Sequence, residues 1–144
     1  MEEYQIWTLF NSARVADAAV GIVSILAIWL ALRVANLTRA NPETDTITKI
    51  VSTLFCGLIV LGSWQAWTIA SVNWTGPAGA LSRLDNPSDF AKGFIDYVGQ
   101  TEPATTPDPI VMLFLIVVAL MTLVLIWRPK KRLIFKLYPY FICE

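Results

Sequence analysis

The sequence predicts an all-α integral membrane fold, with three transmembrane helices and a short extramembrane amphipathic helix between the second and third. Three observations lead there. Ile110 to Trp127, IVMLFLIVVALMTLVLIW, is eighteen residues without a charge. At ~1.5 Å rise per residue it makes a helix of ~27 Å, about the thickness of a bilayer's hydrocarbon core. Two more apolar runs lie upstream, from about Val15 to Leu37 and from about Ile50 to Val72. The composition agrees, with 56% of residues hydrophobic and 15% charged, where a soluble domain carries roughly a quarter charged. The 144 residues read as a single membrane domain.

Residues 1 to 12, MEEYQIWTLFNS, open on two acids, unlike the basic start of a cleavable signal peptide. Trp7 and Phe10 suit an interfacial lead-in at headgroup depth, and Asn11 or Ser12 is placed to cap the helix that follows. In the first run, Asp17 and Arg33 leave Ala18 to Leu32 uncharged. Snorkelling of Arg33 extends the usable length to roughly twenty residues. At helical spacing Ala13, Asp17, Ser24, Ala31 and Ala35 share one face, with Gly21 beside it, while Ile22, Ile25, Leu26, Trp29 and Leu32 take the other sides. A stripe of small residues lets another backbone come close, which is how helices associate in lipid.

A polar link at 38–48, TRANPETDTIT, places a turn at Asn41-Pro42. In the second run Ser52, Cys56, Ser63, Ala66 and Ala70 again fall on one face, and Trp64, Trp67 and Trp74 crowd the far end as an aromatic belt does. The short link makes the two runs an antiparallel hairpin, whose small faces are free to meet each other or a partner. Asp17, Gly21, Ser24, Ala31, Ser52, Cys56 and Ser63 are the candidate helix-packing residues.

Residues 73–109 form the substantial extramembrane loop. Within it Asn86-Pro87-Ser88-Asp89 resembles a helix start, with Pro near the first helical position. Phe90, Phe94, Ile95 and Val98 then recur at helical spacing, so a short amphipathic helix is expected from about Pro87 to Val98. GQTEPATTPDP follows, a Pro/Thr-rich linker with little means of folding alone. After Trp127 the tail, 128–144, is basic and then aromatic, a composition suited to the interface or to a neighbouring chain. Trp7, Trp67, Trp74 and Trp127, with Arg128, Lys130, Lys131 and Arg132, are the candidate anchors to lipid and its interface.

Charge sets the expected orientation. The tail carries five basic residues and the first link with its flanks three (Arg33, Arg39, Lys49), against Arg83, Lys92 and Arg14 on the other side. The positive-inside rule then places the N-terminus outside and the C-terminus in the cytoplasm, in a plasma (inner) membrane.

Chemistry is sparse. The chain has no histidine, so the commonest general base and metal ligand are missing. Its two cysteines, Cys56 in an apolar run and Cys143 beside the C-terminus, make no disulfide framework. The loop acids Asp85, Asp89, Asp96, Glu102 and Asp108 lack the spacing of a cation loop, and neither a phosphate-binding glycine loop nor a nucleic-acid footprint occurs. No catalytic residue, metal or cofactor is expected. Asp17 has two readings: a proton, cation or partner site, or a residue marking the membrane boundary.

The expected function is that of a non-catalytic accessory or structural subunit, packed within a larger membrane complex and contacting lipid and other subunits or copies of itself. An alternative rests on layout. Three spans, N-out and C-in, with a basic tail resemble one class of phage holins in topology, which implies a self-associating pore former. The 37-residue loop and the lack of a strongly polar stripe depart from that pattern.

Overall fold

The computed structural model describes residues 2–128. Expectations for the tail, including Lys130, Lys131 and Arg132 as anchors, lie outside the described residues. Among these residues there are four helices and no strand: α1 (Glu3–Ala40), α2 (Thr46–Leu81), α3 (Asp89–Val98) and α4 (Pro109–Trp127). Three of them, α1, α2 and α4, are long and apolar enough to cross a membrane.

Both long helices overrun their apolar segments, in each case at the α3 end. The 38 residues of α1 begin well before Val15. Its N-cap is Glu2, whose backbone N–H donates to the Gln5 side chain at 3.3 Å. Asn11 and Ser12 are therefore interior residues and not caps, and the Ser12 hydroxyl donates to the Thr8 carbonyl at 3.0 Å. The 36 residues of α2 start at an Asp45 cap that accepts from the Thr48 N–H at 2.8 Å. The helix continues past Val72 through Gly76-Pro77 to Leu81, so the irregular loop begins nine residues later than expected. Pro77 leaves the Asn73 carbonyl without its helical donor. The turns on either side persist because Thr75, Ala78, Gly79 and Leu81 are all buried.

At ~1.5 Å per residue α1 and α2 measure roughly 57 and 54 Å and α4 about 28 Å. Each of the two long helices is therefore about 25 Å longer than the ~30 Å thickness of a hydrocarbon layer.

The link 41–45 reverses the chain, and α1 and α2 lie antiparallel along their whole length. Thr38 meets Ser52 (Oγ1 to Oγ 2.8 Å), the Cys56 thiol donates to the Ala31 carbonyl at 3.4 Å, Gly21 lies beside Trp67, and Asn73 meets Asp17. The helix α4 packs against both. Its Ile126 joins Ala31, Ala35 and Cys56, while Leu115 and Val118 close on Ile28.

This packing is inverted relative to a water-soluble bundle. Ala31 and Ala35 are fully buried, and Ser24, Thr38, Ser52, Ser63 and Thr122 face inward. Ile22, Leu58 and Leu113 are 64%, 68% and 63% exposed. Large apolar side chains pointing outward on three helices gain nothing in water but suit lipid, where close approach through small residues holds helices together.

Candidate functional site

The chemistry-bearing residues gather at the overrunning end of the bundle. There α1 and α2 project together, and α3 and the segment 99–108 are strapped across them.

The strap begins with Glu3. Its carboxylate accepts from the Ser88 hydroxyl (2.7 Å), the Ser88 N–H (3.0 Å) and the Trp7 indole N–H (3.1 Å). Ser88 is the N-cap of α3, and its hydroxyl oxygen accepts from the Ala91 N–H at 3.1 Å. Pro87 accordingly precedes the cap and does not open the helix. The bonds from Ser88, the hydroxyl's first and the backbone's next, hold the Glu3 carboxyl below its ordinary value of 4.5. A carboxylate at a helix N-terminus also has a favourable field. Apolar contact completes the junction, with Ile6 and Leu81 buried against Ala91.

Aromatic rings surround this point. Trp7 lies 5.1 Å from Phe90 and 5.2 Å from Phe94 between ring centroids, and Phe10 bridges Trp74 (5.4 Å) and Phe94 (5.2 Å). Trp74 and Phe94 are stacked at 6.0 Å. Trp7 and Trp74, expected as interfacial anchors, are thus half-buried in a cluster made by α1, α2 and α3.

The segment 99–108 is docked despite its linker-like composition. Gly99, at φ 71°, ends α3 in the left-handed region. The Ala104 N–H then donates to the Thr75 hydroxyl at 3.0 Å. Gly79 presents bare backbone to Thr101, and a Cβ there would collide with the Thr101 carbonyl oxygen. Pro107 is fully buried, and Asp108 caps α4 by accepting from the Ile110 N–H at 2.8 Å.

Between this segment and the two long helices lies a cavity of about 1080 Å³. Arg14, Asp17, Glu102 and Asp108 contribute charge to its lining, while Gly21, Trp67 and Met112 line it deeper along the helices. Asp17 is held from both sides. One carboxylate oxygen accepts from the Asn73 amide at 2.7 Å, and the other pairs with Arg14 at 3.3 Å. Its side chain is 9% exposed. The Arg14 guanidinium also covers the Trp74 ring, 4.6 Å from the centroid. Asp17 is therefore a bridge between α1 and α2 and not a freely solvated boundary residue.

The other sequence candidates are dispersed. Ser24, Ala31, Ser52, Cys56 and Ser63 are buried within the bundle, below the cavity. Gly21 is partly buried, with the Trp67 ring 3.8 Å from where its Cβ would stand. At the opposite end the Trp127 indole donates to the Thr53 hydroxyl at 3.1 Å, and Arg128 is exposed. Sequence reasoning missed Asn73 and Thr75 because the helix was expected to end before them. The signal was present, since Asn73 continues the Ser63, Ala66, Ala70 face by one helical step.

Among the described residues no group of three or more potential metal-ligating side chains occurs. The Ser88–Glu3 pair is committed to a helix cap. The site is built of charge, amide and aromatic faces on a braced frame. No protein-family model matches the chain, and neither a curated protein nor a solved structure matches it. The fold and the site define a helical bundle with three membrane-length apolar helices and a braced extension at one end.

Proposed function

We propose that this chain is a non-catalytic, three-pass integral membrane protein that serves as an accessory or structural subunit of a larger membrane complex. The observation that carries the reading is the division of the molecule into two chemically distinct parts. Three helices turn large Ile, Leu, Val and Trp side chains outward, and α1 and α2 turn mostly small or hydroxyl residues inward, around a few buried aliphatics, Ile28, Leu115, Val118 and Ile126. The extension above them is cross-braced and charged at its cavity, as a docking platform needs to be and a flexible loop is not. The small-residue faces are used within the chain, so a partner would meet the extension or the outward apolar faces. Basic residues at the end opposite the extension support an N-out, C-in orientation, and the membrane we propose is the plasma (inner) membrane. A pore of several copies has less support, because Thr38 and Ser52 are bonded to each other within the chain and are not offered to a lumen between copies.

Gentle-detergent extraction of the tagged full-length protein, with native mass and identification of every copurifying chain, tests the assignment. Stoichiometric foreign subunits are expected. A large assembly of this chain alone would refute the accessory role and favour the pore. A reporter fused after Glu144 should be active on the cytoplasmic side.

A further inference from the structure

At the end opposite the extension, the α1–α2 turn and the end of α4 enclose a cavity of about 300 Å³. Arg39, Lys49 and Arg128 line it together with Thr44 and Trp127, and no carboxylate does among the described residues. Among the described residues none of the three cations takes part in an ion pair; the two pairs found there are Arg14–Asp17 and Lys92–Asp89, both elsewhere. The Arg39 Nε is buried and has no hydrogen-bond partner among the described residues. A buried donor without an acceptor is unfavourable, and a guanidinium is best satisfied by an oxyanion that accepts from its planar fork. The turn also carries Glu43 and Asp45, but neither lines the cavity, so an anion within it would lower the mutual repulsion of the three cations that do.

We propose that this cavity binds a phosphate-bearing anion, and that its occupant is the headgroup of an anionic phospholipid. Arg39 is the central donor, with Lys49 and Arg128 completing the charge. The lipid assignment rests on the membrane reading above. The cavity stands where the apolar face of α4 ends in Trp127, so a headgroup seated there leaves its acyl chains beside Leu123 and Val124, which are exposed. In sequence the chain continues as Pro129-Lys130-Lys131-Arg132, which adds positive charge immediately after Arg128.

The test is lipid binding by the purified full-length protein in a neutral detergent. Phosphatidylglycerol, phosphatidylcholine and inorganic phosphate are added separately, and bound lipid or phosphate and the thermal midpoint are measured. Wild type should retain phosphatidylglycerol and gain thermal stability, with phosphatidylcholine at least fivefold weaker. Arg39→Gln and Lys49→Gln should each weaken phosphatidylglycerol binding about tenfold, and Arg83→Gln, which removes the same charge from the α3 side, should not. Saturation by inorganic phosphate without preference for phosphatidylglycerol would uphold the oxyanion site and assign it to a free anion. Equal loss in Arg83→Gln, or no binding of either anion, would overturn the site. Recovery of the protein in carbonate-resistant membranes, scored in parallel, separates a failure of the site from a failure of the membrane reading.

Discussion

Replacing Ala31 by leucine tests the inverted packing directly. Ala31 is fully buried, sits against Cys56 and Ile126, and has its carbonyl oxygen 3.4 Å from the Cys56 sulfur. A leucine adds three carbons where α1, α2 and α4 converge, and the helices must part or the side chain must leave its preferred rotamers. Overpacking of this kind costs about 1–3 kcal/mol, a change of roughly 5- to 150-fold in the folding equilibrium. The comparison is Leu26→Ala on the same helix, where the side chain is 58% exposed. In water-soluble cores a large-to-small change at a buried leucine costs about 2–5 kcal/mol. For Leu26, facing outward, the effect should be near zero. Reversible unfolding of both variants in mixed micelles, followed by tryptophan fluorescence, gives the two values. An Ala31→Leu protein as stable as wild type beside a destabilised Leu26→Ala would invert the assignment of faces and refute the reasoning.

Substitutions at three other contacts test them separately. Thr38→Val should destabilise the bundle by about 0.6 kcal/mol, the average for interhelical hydrogen bonds in membranes, and by no more than about 1.7 kcal/mol, and Ser52→Ala added to it should cost little more in a double-mutant cycle. At Glu3 the folded pKa is lowered by its bonds from Ser88, so its contribution is present above the ordinary value of 4.5 and is lost as pH falls through the lower folded value. Hydrogen exchange in α3 should therefore rise in that acid range, whereas Glu3→Gln should show raised exchange already at neutral pH. Gly79→Ala should displace Thr101 and expose the segment 99–108 to limited proteolysis, leaving the circular dichroism of the long helices unchanged; an unaltered cleavage pattern would show that the close approach is dispensable.

The three apolar helices were legible in the sequence because length and lack of charge are local properties, and Ile110 to Trp127 displays both without reference to anything else. The amphipathic α3 was legible for a related reason: its Phe90, Phe94, Ile95, Val98 repeat needs only helical periodicity. The small faces on α1 and α2 were visible too, but their partner was not. Spacing shows that Ala31 and Cys56 can be approached closely, and only the antiparallel register of α1 against α2 brings them to each other. The extension was hidden most completely. Residues 3–14 and 73–81 carry polar or breaking signals, including Pro77, and no single stretch supplies the energy to keep them helical. That stabilisation comes from contacts distant in sequence, from Glu3 to Ser88, Trp7 to Phe94, Thr75 to Ala104 and Gly79 to Thr101. Composition thus determined which helices can cross a membrane, whereas the braced end, its cavity and the position of Asp17 within it were decided by tertiary contacts that exist once α1, α2 and α3 are side by side.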